Sequence, residues 1–96
     1  MKPHGIVLLQ GAQRDLLNIY AARGERVYLK VDKALGVLRV FPEAGPLNFR
    51  PRVRRLVVTK TNLGIFYSVT GHRVLVIAVL DLRQSPQAIE KRLREI

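Results

Sequence analysis

Leu63-Gly64-Ile65-Phe66-Tyr67-Ser68-Val69-Thr70-Gly71-His72-Arg73-Val74-Leu75-Val76-Ile77-Ala78-Val79-Leu80-Asp81 is the stretch that decides the fold. In its first half Ile65, Tyr67 and Val69 alternate with Gly64, Phe66 and Ser68, the two-residue period of a strand with distinct faces. Thr70-Gly71-His72 then reverses the chain, glycine supplying the positive φ of a tight hairpin turn. Val74 to Leu80 is apolar on both faces, which predicts a strand in mid-sheet, buried on each side. A third strand is expected from Val53 to Thr59, making this half of the chain an antiparallel sheet.

The flanking segments are predicted to be helical. Ser85-Pro86 opens the last helix: serine caps the free N–H groups, and proline at the first helical position loses no needed donor. Ile89, Leu93 and Ile96 give that helix a single apolar face, with Glu90 and Arg94 as an i,i+4 pair on its surface. Toward the N-terminus, Ile6-Val7-Leu8-Leu9 is too short for a helix and suits a buried strand. From Ala12 the spacing becomes helical, with Leu16, Ile19 and Tyr20 on the apolar side, until Arg23-Gly24. A second helix is expected from Glu25, with Val27, Val31, Leu35 and Leu38 in one stripe. Gly36 weakens its end, and the two prolines of Phe41-Pro42-Glu43-Ala44-Gly45-Pro46 stop it. The expected architecture is therefore α+β: an N-terminal strand, a two-helix hairpin, an antiparallel sheet of three further strands and a C-terminal helix. With 96 residues, the chain is read as a single domain over 1–96.

Composition narrows the chemistry. Seventeen Lys and Arg against seven Asp and Glu give a net charge of +10, so polyanions and acidic proteins are the natural partners. The chain has no cysteine, which excludes a disulfide framework and a thiolate zinc site and fits a cytoplasmic setting. No apolar run reaches membrane-spanning length, and Met1 to Gly5 lacks the apolar stretch of a secretory signal, so no membrane role is expected.

No acid lies between Gly45 and Asn62, while Arg50, Arg52, Arg54, Arg55 and Lys60 gather there. In an extended strand Arg50, Arg52 and Arg54 would project from one face and Arg55 from the other. Planar guanidinium groups grip phosphate or carboxylate with two prongs, which makes this segment a candidate contact surface. The competing structural reading is a sheet edge charged against aggregation. Asp81-Leu82-Arg83-Gln84 sits between two rigid elements, where Asp81 and Arg83 either contact a target or pair with each other to fix the corner.

Other chemistry is poorly supplied. His4 and His72 have no neighbouring carboxylate pair, so no metal is expected. Ser68 and Ser85 lack histidine and acid partners, and the seven glycines show no phosphate-loop spacing, so no cofactor is expected. Phe66 and Tyr67 fit a strand's core and face better than a base-stacking platform.

Leu9 to Leu16, Leu35 to Gly45, Arg52 to Leu56, Gly64 to Tyr67 and Ala78 to Pro86 together resemble the ParE/RelE toxins of bacterial toxin-antitoxin pairs, also described as plasmid stabilisation proteins. The resemblance runs in order through nearly the whole chain. It implies a cytoplasmic growth inhibitor neutralised by a cognate antitoxin, with a toxin dimer or a toxin-antitoxin heterotetramer as the expected assembly. Two mechanisms occur among such toxins. One poisons DNA gyrase; the other cleaves mRNA on the ribosome, where Arg54, Arg55 and Arg83 would stabilise charge. No tyrosine or histidine follows the last strand to move a proton, which favours the gyrase reading over the ribonuclease. A non-toxic nucleic-acid-binding module is the third reading, resting on charge alone.

Overall fold

A computed structural model describes residues 2–48 and 50–95. The elements run β1 (Gly5–Leu8), α1 (Gln10–Val40), β2 (Leu47–Asn48), β3 (Arg50–Val57), β4 (Leu63–Thr70), β5 (Arg73–Asp81) and α2 (Pro86–Arg94). The strands form one sheet in the order β1-β5-β4-β3-β2, antiparallel except for β1, which runs parallel to β5. The α+β architecture is the one expected.

The helical hairpin is made by breaking α1 at one residue. Gly24 has φ 84° and ψ 178°, a conformation that side-chain-bearing residues rarely adopt, and the chain reverses there between arms 10–23 and 25–40. Ala12, Asp15, Leu16 and Ile19 of the first arm are buried, as are Val31, Leu35 and Leu38 of the second. Tyr20, expected on the apolar side, is half exposed; its ring meets Tyr28 of the other arm edge to face at 5.5 Å. Gly36 does not shorten the second arm, because Leu35 and Leu38 on either side of it are held in the core.

The two sheet faces bury separate clusters. Under α1 lie Ile65, Tyr67, Val74, Val76 and Val79 together with Leu16, Ile19, Val31, Leu35 and Leu38. Under α2 lie Val53, Phe66, Ile77, Ala78 and Leu80 with Ile89 and Leu93. A bulge between Phe66 and Tyr67, where the partner shifts from Ala78 to Val76, leaves Ile77 as the extra residue and adds it to the α2 face. Ser85 caps α2 as expected, its Oγ accepting from the Ala88 N–H at 3.1 Å. Ile96, the last residue assigned to that helix's apolar face, lies outside the described residues.

Boundaries differ in instructive ways. β1 starts at Gly5 and α1 at Gln10, each earlier than the periodicity suggests; the Gln13 side chain ties the junction by donating to the Leu8 carbonyl at 2.9 Å. β3 begins at Arg50 rather than Val53 because β2, too short to show a period, pairs with it there. β5 has β1 on one side and β4 on the other only as far as Val76. Beyond that point its outer flank faces α1, so the mid-sheet expectation holds for half the strand. Among the described residues no helix is long and apolar enough to cross a membrane.

Candidate functional site

The arginine segment follows β3, and the strand divides its cations. Arg54 lies opposite Tyr67 and donates to the Gly45 carbonyl at 2.8 Å, with a longer bond to the Glu43 carbonyl at 3.5 Å. Arg54 therefore straps the 41–46 loop onto the sheet. Arg50 reaches Glu90 on α2 at 3.3 Å instead of projecting with Arg52 and Arg54. The irregular β2–β3 register, in which Leu47 and Asn48 face Arg54 and Arg50, breaks the strict alternation on which that expectation rested. Arg55 lies opposite Phe66, on the face covered by α2. Arg52 is exposed, and the described residues give it no hydrogen bond or ion pair. The Nε atoms of Arg50 and Arg55 are buried without a hydrogen-bond partner among the described residues. Glu90 offsets the Arg50 charge under α2, and among the described residues Arg55 has no carboxylate partner.

The corner after β5 is a closed electrostatic unit. Asp81 accepts from the Arg83 backbone N–H at 2.9 Å and from the Arg83 guanidinium at 2.7 Å and 3.0 Å. Its other contact is Arg23, at the tip of the first α1 arm, at 2.6 Å. The Arg83 hydrogen bonds, seconded by the charges of Arg83 and Arg23, hold the Asp81 carboxyl well below its ordinary range. The same pairing pushes the Arg83 guanidinium up. Asp81 thus fixes the corner and tethers the hairpin, while Arg83 remains largely exposed beside it.

Lys60 sits elsewhere, at the tip of the β3–β4 connection. Its φ of 61° is the left-handed region, held by Thr61, whose Oγ1 donates to the Val58 carbonyl at 2.8 Å and accepts from the Leu63 N–H at 3.0 Å. The candidate residues consequently fall into three places: the β3 surface, the β5 corner and this turn.

The proton-transfer groups are either buried, as Tyr67 is beside Arg54, or placed at the far end of β5 from Arg83. Tyr67 is fully buried, its oxygen accepting from the Gly45 N–H at 2.9 Å, and burial pushes its hydroxyl up. His4 and His72 stand together, ring centroids 5.6 Å apart, next to the start of β5, whereas Asp81 closes its far end. Among the described residues no cluster of three or more His, Cys, Asp or Glu could hold a metal ion.

Sequence reasoning missed the part-buried pair at the sheet's open flank. Asp15 accepts from the Val79 N–H at 3.0 Å and from Arg92 at 2.9 Å. The signal was present: Asp15 falls between Ala12, Leu16 and Ile19, so a carboxylate occupies the apolar stripe of the first arm. Arg92, on a helix rich in basic residues, gave no such sign.

The family model for the ParE toxin of the type II toxin-antitoxin system parDE matches residues 6–86. A comparison with curated protein sequences gives no significant match. Among solved structures, a chain of the chromosomal ParDE system from P. aeruginosa is similar at 17% identity and a TM-score of 0.65, covering 82% of this chain and 96% of that one. A mutant E. coli RelE toxin in the free state gives 17% identity and a TM-score of 0.74, covering 98% of each chain. A chain of the RelBE2 toxin-antitoxin complex from Mycobacterium tuberculosis gives 19% identity and a TM-score of 0.64, covering 80% and 95%.

Proposed function

The chain belongs to the ParE toxin family of type II toxin-antitoxin systems, and from that premise we propose that it arrests growth by binding DNA gyrase and is silenced by a cognate antitoxin. The observation that carries this reading is the Asp81–Arg83 pair. A ribonuclease needs an unencumbered cation facing the developing phosphorane and a group that moves a proton. Here a carboxylate occupies the Arg83 guanidinium, Tyr67 is buried with its oxygen engaged, and both histidines lie at the other end of β5. An exposed corner held by internal charge pairing suits recognition of a protein surface better than hydrolysis.

Purified chain is expected to inhibit supercoiling by purified gyrase, and Arg83→Ala to weaken that inhibition with the fold intact. Supercoiling that continues unchanged at concentrations which stop growth would overturn the proposal. The ribosome-dependent ribonuclease is the second reading, supported by the exposed guanidinium of Arg52, which has no hydrogen bond or ion pair among the described residues and is open to a phosphate. Cleaved transcripts during arrest, with gyrase active, would favour it.

A further inference from the structure

The chain's two histidines, distant in sequence, meet at one end of the sheet. His4 directly precedes β1 and His72 directly precedes β5. Gly5 lies opposite Arg73 in the parallel β1–β5 ladder, so one step back along that register sets His4 beside His72. Their ring centroids are 5.6 Å apart, with the planes tilted by 58°. His4 is half-buried and His72 exposed.

Both main chains are held in place. The His72 carbonyl accepts from the Gly5 N–H at 2.8 Å, and the His4 N–H donates to the Arg39 carbonyl at 2.8 Å. Arg39 returns the contact, its Nε donating to the His4 carbonyl at 3.2 Å. The imidazoles themselves are uncommitted: among the described residues neither ring takes part in a hydrogen bond or an ion pair. Each neutral ring therefore keeps one nitrogen lone pair available and is free to turn it toward a shared ligand. A zinc-like ion sits about 2.0–2.1 Å from an imidazole nitrogen, so two rings that share one ion have centres roughly 5–6 Å apart. The observed spacing falls in that range. Ring packing alone also tolerates it, but packing makes no use of the nitrogens.

We infer that His4 and His72 form a two-histidine site for a divalent cation of the Ni²⁺, Cu²⁺ and Zn²⁺ class, with water in the remaining positions. Imidazole suits these ions, whereas Mg²⁺ and Ca²⁺ want oxygen ligands that the pair lacks. The local field opposes any cation, because Arg39 and Arg73 adjoin the pair and the chain carries +10. Glu43, which lines the hollow beside His4, offsets part of it. That field sharpens the selection, since only an ion with a strong preference for imidazole overcomes it. Two protein ligands, fewer than the three or four of a resident zinc centre, make the ion exchangeable. Bound, it joins the start of β1 to the β4–β5 turn.

The test uses the full chain without a purification tag, and the ions themselves as probes. Ni²⁺ at roughly ten times its dissociation constant should raise Tm by about 5 °C or more, and Mg²⁺ at the same concentration should leave it unchanged. One Ni²⁺ should bind per chain, and its paramagnetic broadening should reach the ring signals of both histidines together. His4→Phe and His72→Phe each keep a ring at the contact but remove its nitrogens. Each should fold as the wild type does and bind Ni²⁺ at least about tenfold more weakly. An undiminished Tm shift in either variant, no shift in the wild type, or an equal shift with Mg²⁺ overturns the site. So does one ion per two chains, which assigns the exposed His72 to a bridge between copies. A shift with inorganic phosphate and none with Ni²⁺ also overturns it, assigning the pair to an anion.

Discussion

Asp15 and Arg92 are 77 positions apart in the chain and 2.9 Å apart in space. Their contact closes a gap that the sheet leaves open. Once β1 ends at Leu8, the outer N–H of Val79 has no strand partner, and the Asp15 carboxylate takes it at 3.0 Å. The carboxylate's charge then draws in Arg92, so the first arm of α1, the flank of β5 and α2 are joined at one residue. α2 has few other attachments, chiefly Ile89 and Leu93 on the sheet and Arg50 to Glu90.

Asp15→Ala is therefore expected to strand a buried backbone donor and to cost about 1–3 kcal/mol in chemical denaturation. A double-mutant cycle with Arg92→Ala should give a coupling energy of about 0.5–3 kcal/mol, since the two side chains share one network. Additive effects of the two substitutions would refute the clip.

The carboxylate at the other end of this flank predicts a pH dependence. Asp81 is held below its ordinary value of 3.8, first by the Arg83 hydrogen bonds and then by the charges of Arg83 and Arg23, with burial opposing them. In the folded chain it gives up its proton more readily than in the unfolded chain. Its stabilisation is thus fully present above the unfolded value and is lost as pH falls below about 4. Urea midpoints between pH 6 and 2 should fall less steeply in Asp81→Asn than in the wild type; equal slopes would remove Asp81 from the acid response.

Tyr67 predicts the alkaline counterpart. Burial raises its hydroxyl above 10.0, a shift only partly offset by the Gly45 N–H and the Arg54 charge. The folded state favours the protonated phenol, so this stabilisation is present below pH 10 and is lost as pH climbs from there through the folded value. Tyr67→Phe should flatten the alkaline limb. At neutral pH the same change leaves the Gly45 N–H without its acceptor, expected to cost about 1 kcal/mol and to speed hydrogen exchange in the 41–46 loop. An unaltered alkaline limb would mean that other groups govern it.

Much of the fold is legible in the sequence because its signals are local. The alternation of Leu63 to Val69, the turn glycine at 71 with φ 59°, and the Ser85-Pro86 cap are each written within a few residues and each appear in place. What the sequence hides is pairing over distance. β2 is only two residues long and exists by leaning on β3, and Arg50 changes sides because the β2–β3 register slips. Periodicity overreached at Tyr20: a helix spacing marks a face, but the one-residue hairpin at Gly24 turns that ring toward Tyr28 at the surface. The arginine segment was conspicuous for its charge, yet charge density cannot tell a cation spent on a loop carbonyl, such as Arg54, from one left in solvent, such as Arg52. The histidine pair shows the converse, since His4 and His72 share no motif and are brought together only by pairing β1 with β5.

The 41–46 loop supplies a last prediction, from two glycines that are both closely approached but by different atoms. A Cβ on Gly45 would stand 2.6 Å from the Arg55 carbonyl oxygen and 2.7 Å from its carbon, both fixed by the β3 ladder. A Cβ on Gly64 would meet the Leu82 Cδ2 at 2.7 Å, the end of a side chain that can rotate away. The backbone cannot yield without undoing the Arg55-to-Pro46 and Gly45-to-Tyr67 bonds that seat the loop. Gly45→Ala is accordingly expected to cost about 1–3 kcal/mol, at the upper end of overpacking, and Gly64→Ala less. Thermal unfolding of the two variants side by side decides it: if Gly64→Ala proves the more damaging, the loop is not held against β3 in this way, and Arg54 loses its role as the strap.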